Sequence, residues 1–432
     1  MPKTALFVPF APSLAHVSRS LAVAEAWRAA GHTATFAVGP ERAAMIQAAG
    51  FAVQPLPEVA GAVFRRDLGF RWLTAKYFAQ NLQAERAILD QVKPDVVVLD
   101  FRFTTTAAAR LAGLPSASIM HGNALRLALD PGETARQLLG DPADVHGLAA
   151  RRLRVLRRLF PAVFQAVMRR IAHRLAPVLQ AHDLPPVRSP FELFLADALL
   201  IADLPAFLPA ELPPSSHVVG PLIWSGWDQP APWLDKLDGR PLVYVTMGST
   251  VEAQGVLAAL VEVLCQAPYN IVMTTGSLSL PAEGRIPPHI RVFPSVPGAA
   301  VARCSALVVH HGGHETLMQA LAAGVPSLVV PSNPDQILVG QQVQALGVGR
   351  SLRQPGSLPM VRRTLDNRTL AGVRREMNDL IADQGCQRAC QAIKREIEAG
   401  DGPQAAVEVL TRLADNAGVR EVAGLALTTS GL

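Results

Sequence analysis

The sequence predicts an α/β protein of two doubly wound domains that face each other across a cleft, and three observations lead to this fold class. With 432 residues, the chain exceeds what one hydrophobic core usually organises. Short and nearly continuous apolar runs alternate with longer helix-like segments, which is typical of parallel sheets covered by helices on both faces. A proline-rich stretch divides this alternation into two regions, each with its own set of strands.

The first domain is predicted to span residues 1–215. The segment 18–30 (SRSLAVAEAWRAA) has helical spacing, and Gly31 follows it at the position where helices commonly end on a left-handed residue. Further helical stretches lie at 84–91 and 105–112. The predicted strands are ALFVPF (5–10), TATFAV (33–38), VVVL (96–99) and SASIM (116–120).

The second domain is predicted at 241–400, after a linker at 216–240. Residues 205–241 carry eight prolines, which exclude a regular helix or a central strand. A helix is predicted near 256–266, and residues 401–432 are assigned to a C-terminal helix or tail. The predicted strands are LVYVTM (242–247), NIVMTT (270–275), IRVF (290–293), ALVVHH (306–311) and PSLVVP (326–331). Because doubly wound sheets bind ligands outside the carboxyl ends of their strands, we expect the binding site in the cleft.

The composition favours a globular protein of the cytoplasm. Half of the residues are hydrophobic and 17% are charged, which excludes the disordered and fibrous classes. The four cysteines contain no CxxC pair, and the N-terminal apolar run is too short for a signal peptide. No apolar run reaches the roughly 18 residues that a membrane span requires. The formal net charge of +5 indicates an anionic partner or serves solubility alone.

One segment, residues 151–174, combines an apolar face with many arginines. It permits two interpretations: a helix that lies on the inner face of an anionic membrane, or a surface helix whose apolar face packs on the core. Pro161 predicts a kink or break, which favours the surface helix. The apolar face consists of Leu153, Leu156, Phe160, Phe164, Val167 and Ile171.

The stretch VVHHGGHETLMQAL (308–321) contains three histidines and permits a metal site, a turn that binds nothing, or an anion site. His310 and His314 have the i, i+4 spacing of a helix, but Gly312 and Gly313 lie between them directly after a predicted strand. One helix is therefore not expected to carry both histidines. The pattern HExxH is also absent, so that no metal site is predicted.

An anion site agrees better with the order of strand, glycines and helix. The glycines let the backbone approach a ligand, and the first N–H groups of the following helix attract a phosphate. His311 and Thr316 add donors. Downstream, Asp335 and Gln336 combine a carboxylate with an amide, which suits vicinal sugar hydroxyls. Upstream, TMGST (246–250) ends a strand with a glycine and hydroxyls, so that three loops together predict a nucleotide-sugar pocket.

The stretch HHGGHETLMQALAAGVPSLVVPSNPDQ resembles the donor-binding signature of the family 1 glycosyltransferases, which are inverting enzymes of the GT-B fold. The similarity covers nearly the whole chain and includes the N-terminal segment, KPDVVVLDFRF, VVGPL and VYVTMGS. It implies two facing Rossmann-like domains. It also implies transfer of a hexose from a UDP- or dTDP-linked donor to a hydroxyl of a hydrophobic small molecule or lipid. No separate cofactor, metal ion or nucleic acid is expected.

The resemblance implies roles for individual residues. His16, between the first strand and the first helix, is expected to act as general base, with Asp100 fixing its tautomer. His121, after the strand at 116–120, is a competing cleft group. The helix N-terminus and His311 are expected to absorb the charge of the leaving group. The implied donor residues are Gly248, Ser249, Thr250, His311, Gly313 and Thr316 for the diphosphate, Gln319 for the ribose, Val296 for the base, and Asp335 and Gln336 for the sugar.

Three positions depart from the pattern of the family, and one of them is Gln319, which stands where the family has a ribose-binding glutamate. Glu315 stands where many relatives have Gly or Asn, and its carboxylate would repel a diphosphate unless it is paired, turned away or used to cap the helix. Gly298 follows Pro297 where many relatives have glutamine. Two alternatives to transfer therefore stay open: a nucleotide-sugar epimerase of the GT-B fold, and a catalytically silent homologue that assists a partner enzyme. The oligomeric state, monomer or homodimer, also stays open.

Overall fold

The computed structural model describes residues 1–67, 70–139, 146–226, 231–247, 254–276, 286–352 and 367–416. Their strands form two parallel sheets, each covered by helices on both faces. The first sheet contains β1 (Thr4–Pro9), β2 (Thr33–Val38), β3 (Ala52–Pro55), β4 (Val96–Asp100), β5 (Ser116–Met120), β6 (Ala198–Ile201) and β7 (Ser216–Val218). The second contains β8 (Leu242–Thr246), β9 (Asn270–Thr274), β10 (Ile290–Phe293), β11 (Leu307–His310), β12 (Ser327–Val329) and β13 (Gly349–Ser351).

The strand order places a switch point in the middle of each sheet. The first sheet runs β3-β2-β1-β4-β5-β6-β7, and the second runs β10-β9-β8-β11-β12-β13. The order therefore reverses between β1 and β4 and again between β8 and β11, which leaves a crevice beyond the carboxyl ends of those strands. In the first sheet the register pairs Pro9 with Asp100, and in the second it pairs Thr246 with His310. The loops that follow these four strands thus begin at the same two sheet edges.

Helices lie between most of the consecutive strands in both domains. In the first domain they are α1 (Leu14–Ala29), α2 (Pro40–Ala48), α3 (Gly61–Arg66), α4 (Ala75–Val92), α5 (Thr105–Leu111), α6 (Gly122–Leu129), α7 (Pro131–Leu139) and α8 (Gly147–Ala181). In the second they are α9 (Gln254–Leu264), α10 (Gly298–Arg303), α11 (His314–Ala323), α12 (Pro334–Ala345), α13 (Asn367–Ala382) and α14 (Gln384–Glu398), and α15 (Gly402–Asp415) ends the described chain.

The last helix returns to the first domain. Ala406, Val407 and Leu410 of α15 are buried in one hydrophobic cluster with residues of α1 and of the first sheet. At the end of the helix, Asp415 lies 3.1 Å from the Nζ atom of Lys3. The chain therefore crosses between the domains twice, once before β8 and once before α15.

Helix α8 differs from the prediction at Pro161. It continues from Gly147 to Ala181 and contains both Pro161 and Pro177, so the predicted break at Pro161 was wrong. A proline inside a helix removes one hydrogen bond and crowds the preceding turn. Here Pro161 is buried, as are Leu153 and Ile171 on the same side of the helix. Burial of this side on the first domain compensates for the missing hydrogen bond.

None of the described helices is both long and apolar enough to cross a membrane.

Candidate active site

The two domains enclose a cavity of about 1310 Å³. In the first domain it is lined by the loops and helix starts that follow β1, β4 and β5. In the second domain the corresponding segments after β10, β11 and β12 line it. The cavity therefore lies beyond the carboxyl ends of both sheets, where the sequence predicted the ligand.

The structure brings His16 and Asp100 together. His16 lies in the first turn of α1, and its Nδ1 atom is 2.6 Å from Oδ1 of Asp100, the last residue of β4. A carboxylate only accepts hydrogen bonds, so Nδ1 carries the proton and Nε2 is left to accept one. The ring of Phe101 stacks on His16 with 5.0 Å between the ring centroids. The imidazole is thus fixed in position and in tautomer at the wall of the cavity.

Arg19 completes this group, although it was not among the predicted site residues. Its Nε and Nη2 atoms donate to the two carboxylate oxygens of Asp100 at 3.0 and 2.8 Å, and Nη2 also lies 2.9 Å from Nδ1 of His16. Burial opposes the charge of Asp100, but Arg19 and then His16 outweigh it, so that the pKa of Asp100 is lowered. The sequence contained one sign of this contact: Arg19 follows His16 by three residues, and residues with this spacing lie on the same face of a helix.

The strand-to-helix turn of the second domain has the form expected for an anion site. β11 ends at His310, Gly313 caps α11, and the helix begins at His314, so its first N–H groups face the cleft side. Gly312 has φ 93°, and a Cβ atom there would lie 2.9 Å from the backbone oxygen of Gln336. This turn therefore requires glycine.

His311 and His310 have different surroundings. Burial lowers the pKa of His311 to about 4, so the ring is a neutral hydrogen-bonding group at the cavity wall. His310 is fully buried, and its Nδ1 atom accepts a hydrogen bond from the backbone N–H of Gly312 at 3.2 Å. It does not line the cavity.

The remaining donor candidates line the same cavity where the structure describes them. Asp335 is exposed to it at the start of α12, and the Oε1 atom of Gln336 accepts from the backbone N–H and the hydroxyl of Ser332, both at 2.8 Å. Gly313, Thr316, Gln319 and Val296 also line the cavity. Gly248, Ser249 and Thr250 lie outside the described residues.

Glu315 is turned toward the first domain. Its Oε2 atom accepts a hydrogen bond of 2.5 Å from the hydroxyl of Ser18 in α1, and its Oε1 atom lies 3.4 Å from Nε2 of Gln319. Burial raises the pKa of Glu315 to about 7, although Ser18 and Arg19 act in the opposite direction. The carboxylate of Glu315 is therefore paired with Ser18 of the other domain.

A second polar contact joins the two domains. His121 stacks on His314 with 4.8 Å between the ring centroids, and Nε2 of His314 lies 3.1 Å from Oδ1 of Asp203. Within the described part of the chain, only these three residues form a group that could supply three ligand atoms to a metal ion. No sequence pattern around His314 indicates this group, because His121 and Asp203 belong to the other domain. Burial lowers the pKa of His121 well below its ordinary value.

The part of the cavity on the first domain is largely apolar. Phe101, which stacks on His16, belongs to a cluster of aromatic rings that includes Phe103 and Phe194. The apolar residues that reach the cavity are Phe64, Phe70, Phe101, Leu127, Phe160, Phe164, Met168, Ile171 and Phe191. An apolar ligand can therefore be bound next to the His16 imidazole.

Comparison with known proteins identifies the chain. Residues 256–412 match the family described as erythromycin biosynthesis protein CIII-like, C-terminal domain. A PGL/p-HBAD biosynthesis rhamnosyltransferase of Mycobacterium bovis is 31% identical over 353 residues, which cover 81% of this chain and 76% of that protein. A PGL/p-HBAD biosynthesis glycosyltransferase of Mycobacterium tuberculosis is 30% identical over 359 residues, which cover 81% and 80%. The chain is a family 1 glycosyltransferase.

Solved structures agree with the fold of this glycosyltransferase. Spinosyn forosaminyltransferase SpnP has a TM-score of 0.69 at 19% identity and covers 96% of this chain and 100% of its own. The glycosyltransferase SnogD from Streptomyces nogalater has a TM-score of 0.64 at 23% identity, with coverage of 96% and 100%. The predicted family, the GT-B fold and the assignment as an enzyme are thereby confirmed.

Proposed function

We propose that this glycosyltransferase moves a hexose from a nucleoside-diphosphate sugar to a hydroxyl group of a hydrophobic small molecule or lipid, with inversion at the anomeric carbon. The observation that carries the proposal is the pair of His16 and Asp100, held by Arg19, at the wall of a cleft whose opposite side carries the N-terminus of α11. A dTDP-linked deoxyhexose such as rhamnose is the favoured donor and a UDP-linked hexose the second. A relative with 31% identity is named a rhamnosyltransferase, and a structural neighbour, spinosyn rhamnosyltransferase SpnG, was solved with thymidine diphosphate.

In the proposed reaction, the acceptor oxygen attacks the anomeric carbon while Nε2 of His16 takes the hydroxyl proton. The bond between the anomeric carbon and the diphosphate oxygen breaks on the opposite face of the sugar, and its electron pair leaves with the nucleoside diphosphate. Asp100 stabilises the imidazolium through the hydrogen bond to Nδ1. Arg19 keeps Asp100 charged for this task, since it lowers the pKa of the buried carboxyl.

The charge that develops on the diphosphate is assigned to the backbone N–H groups at the start of α11 and to His311. Because these donors are already held in place, the proposal requires no metal ion and no cofactor. Gly313, Thr316 and the segment Gly248, Ser249 and Thr250 contribute further diphosphate contacts. Asp335 and Gln336 hold the sugar hydroxyls, Gln319 the ribose, and the backbone at Val296 the base.

The apolar side of the cavity favours transfer over the two alternatives. An epimerase acts on the nucleotide sugar alone and needs no second binding region beside its base. Here aromatic and aliphatic side chains extend the cavity beyond His16, which suits a hydrophobic acceptor. A catalytically silent helper protein would need neither the hydrogen bond between His16 and Asp100 nor the buried Arg19 that donates to Asp100. A peripheral contact with the inner face of the membrane is part of the proposal.

The test combines binding with product analysis. Thermal shift against dTDP and UDP, followed by NMR of the product formed from the matching nucleotide sugar and a hydrophobic alcohol, should show inversion at the anomeric carbon. We expect His16→Ala to reduce transfer by about 10²–10⁴-fold and to leave the nucleotide affinity nearly unchanged. An epimer that accumulates without acceptor would establish an epimerase instead. Failure to bind any nucleoside diphosphate would overturn the proposal.

A further inference from the structure

The outer face of α8 exposes aliphatic side chains in a continuous row. Val155, Leu159 and Val163 follow each other at intervals of four residues and are 55%, 59% and 57% exposed. Residues four apart lie on one helix face, so the three side chains form a stripe along α8 on the side away from the first domain. Leu148 extends this stripe at the start of the helix and is also exposed. Leaving such a stripe in water forgoes the free energy that burial would supply.

Arginines border the stripe. Helix α8 contains eight arginines and no acidic residue. Without these arginines the formal charge of the chain would change from positive to slightly negative, so the positive charge of the protein is concentrated on this helix. Arg151, Arg152, Arg154 and Arg158 are exposed beside the aliphatic residues. Arginine side chains in this arrangement can extend to lipid phosphates while their aliphatic stems stay beside the apolar stripe.

The same helix forms part of the cavity wall. Phe160, Phe164 and Met168 line the cavity from its inner face, and Val163 and Val167 both line the cavity and are exposed to solvent. The exposed stripe is therefore continuous with the apolar part of the cavity beside His16.

We infer that the outer face of α8 is a docking surface for an anionic lipid bilayer, from which a hydrophobic acceptor enters the cleft along Val163 and Val167. The docking surface depends only on the exposed stripe and the arginines, whereas the route of the acceptor rests on the proposed function. A second copy of the chain fits this face less well, because an antiparallel pair of α8 helices would bring arginines close to arginines. Anionic lipid at the inner leaflet instead complements the arginines and accepts the aliphatic stripe.

Vesicle flotation of the purified full chain tests the docking surface. We expect the protein to float with mixed phosphatidylcholine and phosphatidylglycerol vesicles, to stay behind with phosphatidylcholine alone, and to be released by added salt. Arg154→Gln with Arg158→Gln should weaken binding about twentyfold at low salt, since each arginine near an anionic surface contributes roughly fivefold. Val155→Asn with Leu159→Asn should weaken it about tenfold. The matched control is Val218→Asn, an aliphatic residue of β7 with 43% exposure, which should bind like the unchanged protein.

Three results would overturn the inference: no binding to the mixed vesicles, equal binding to both vesicle types, or pairs of variants that bind like the control. Self-association in sedimentation that Leu159→Asn abolishes would assign the stripe to a second copy instead. The affinity for dTDP is measured on every variant and should not change, because none of the substituted residues lines the cavity. A chain that binds vesicles but no nucleoside diphosphate would contradict the proposed function and leave the docking surface intact.

Discussion

The hydroxyl of Ser18 in the first domain donates a hydrogen bond to the carboxylate of Glu315 in the second, with 2.5 Å between Oγ and Oε2. Ser18 lies two residues after His16 in α1 and directly before Arg19, and Glu315 belongs to the first turn of α11. The contact therefore joins α1, which carries His16, to α11, whose N-terminus faces the cleft. It also turns the carboxyl group of Glu315 toward the first domain.

Donor affinity should depend on the charge of Glu315. Because its pKa is raised to about 7, Glu315 becomes charged as the pH rises through neutrality and then repels a diphosphate. We expect the affinity for dTDP, measured by titration calorimetry, to fall several-fold between pH 6 and pH 8 beyond the change that the nucleotide itself produces. Glu315→Gln keeps an oxygen for Ser18 and reports the titration of the nucleotide alone. Parallel pH curves for both proteins would contradict this role.

The same group should affect stability. Folding raises the pKa of the Glu315 carboxyl from about 4.5 to about 7. The free energy of unfolding of the protein therefore falls as the pH rises through this range, because only the unfolded chain releases the proton there. Above pH 7 the penalty is complete. Glu315→Gln should therefore raise the free energy of unfolding at pH 8 by roughly 2 kcal/mol and leave it nearly unchanged at pH 4. Denaturant unfolding at both pH values measures the difference, and an equal effect at both would rule out ionisation as its cause.

Arg19 is predicted to be a positioning residue that acts through Asp100. Arg19→Met leaves a buried carboxylate without its cation, so we expect a loss of about 3–5 kcal/mol in unfolding free energy. It should also move the acidic limb of the pH profile of kcat/KM upward, because Arg19 lowers the pKa of Asp100 in the unchanged enzyme. Arg19→Lys should restore part of both effects. Adding Asp100→Asn to Arg19→Met should recover stability but not activity. If the acidic limb of the pH profile of kcat/KM does not shift in Arg19→Met, the role of Arg19 is purely structural.

Asp335 is predicted to bind the sugar and not the nucleotide. Asp335→Asn should lower the affinity for the nucleotide sugar by about tenfold or more, which is the usual effect of losing a hydrogen bond to a charged group. The affinity for dTDP should stay within about twofold of that of the unchanged enzyme. The two affinities can be compared by calorimetry under one set of conditions. Asp235→Asn, an exposed aspartate that does not line the cavity, serves as the control for the loss of one negative charge. Equal weakening of both ligands by Asp335→Asn would refute the assignment.

Gly312 is predicted to be irreplaceable for steric reasons. With φ 93° and a Cβ position 2.9 Å from the backbone oxygen of Gln336, Gly312→Ala should cost more than about 2 kcal/mol of unfolding free energy. Gly31 provides the comparison, because it has φ +86° with no atom within 4 Å of its Cβ position, so that Gly31→Ala should cost only about 1 kcal/mol. Equal losses of unfolding free energy in the two variants would show that the positive φ alone, and not the close contact with Gln336, determines the loss.

The sequence predicted those parts of the fold that depend on local pattern. Buried parallel strands appear as continuous apolar runs, and for this reason β1, β4, β8 and β11 were all located correctly. The strands β3, β7 and β13 were missed, because they are short edge strands with mixed polarity. The strand β6 was also missed, although its four residues are apolar and buried. Residues 216–218, placed by the sequence in the linker, form β7 and pair with β6.

The site could be predicted where one chain segment, or the resemblance to a known family, carries the signal. The pair of His16 and Asp100 was implied by that resemblance, and the structure brings the two side chains into contact. Arg19 and Ser18 looked like ordinary helix residues, and only their contacts with Asp100 and Glu315 show their function. These contacts join parts of the chain that are far apart in sequence, and no pattern within one segment contains that information.

The return of α15 to the first domain also restricts how the cleft can open. Two separate segments join the domains, one before β8 and one before α15, and each must keep its length during any movement. The contacts of Ser18 with Glu315 and of His121 with His314 lie between the same two domains. Any opening of the cleft between these side chains must therefore break both contacts while both connecting segments stay intact.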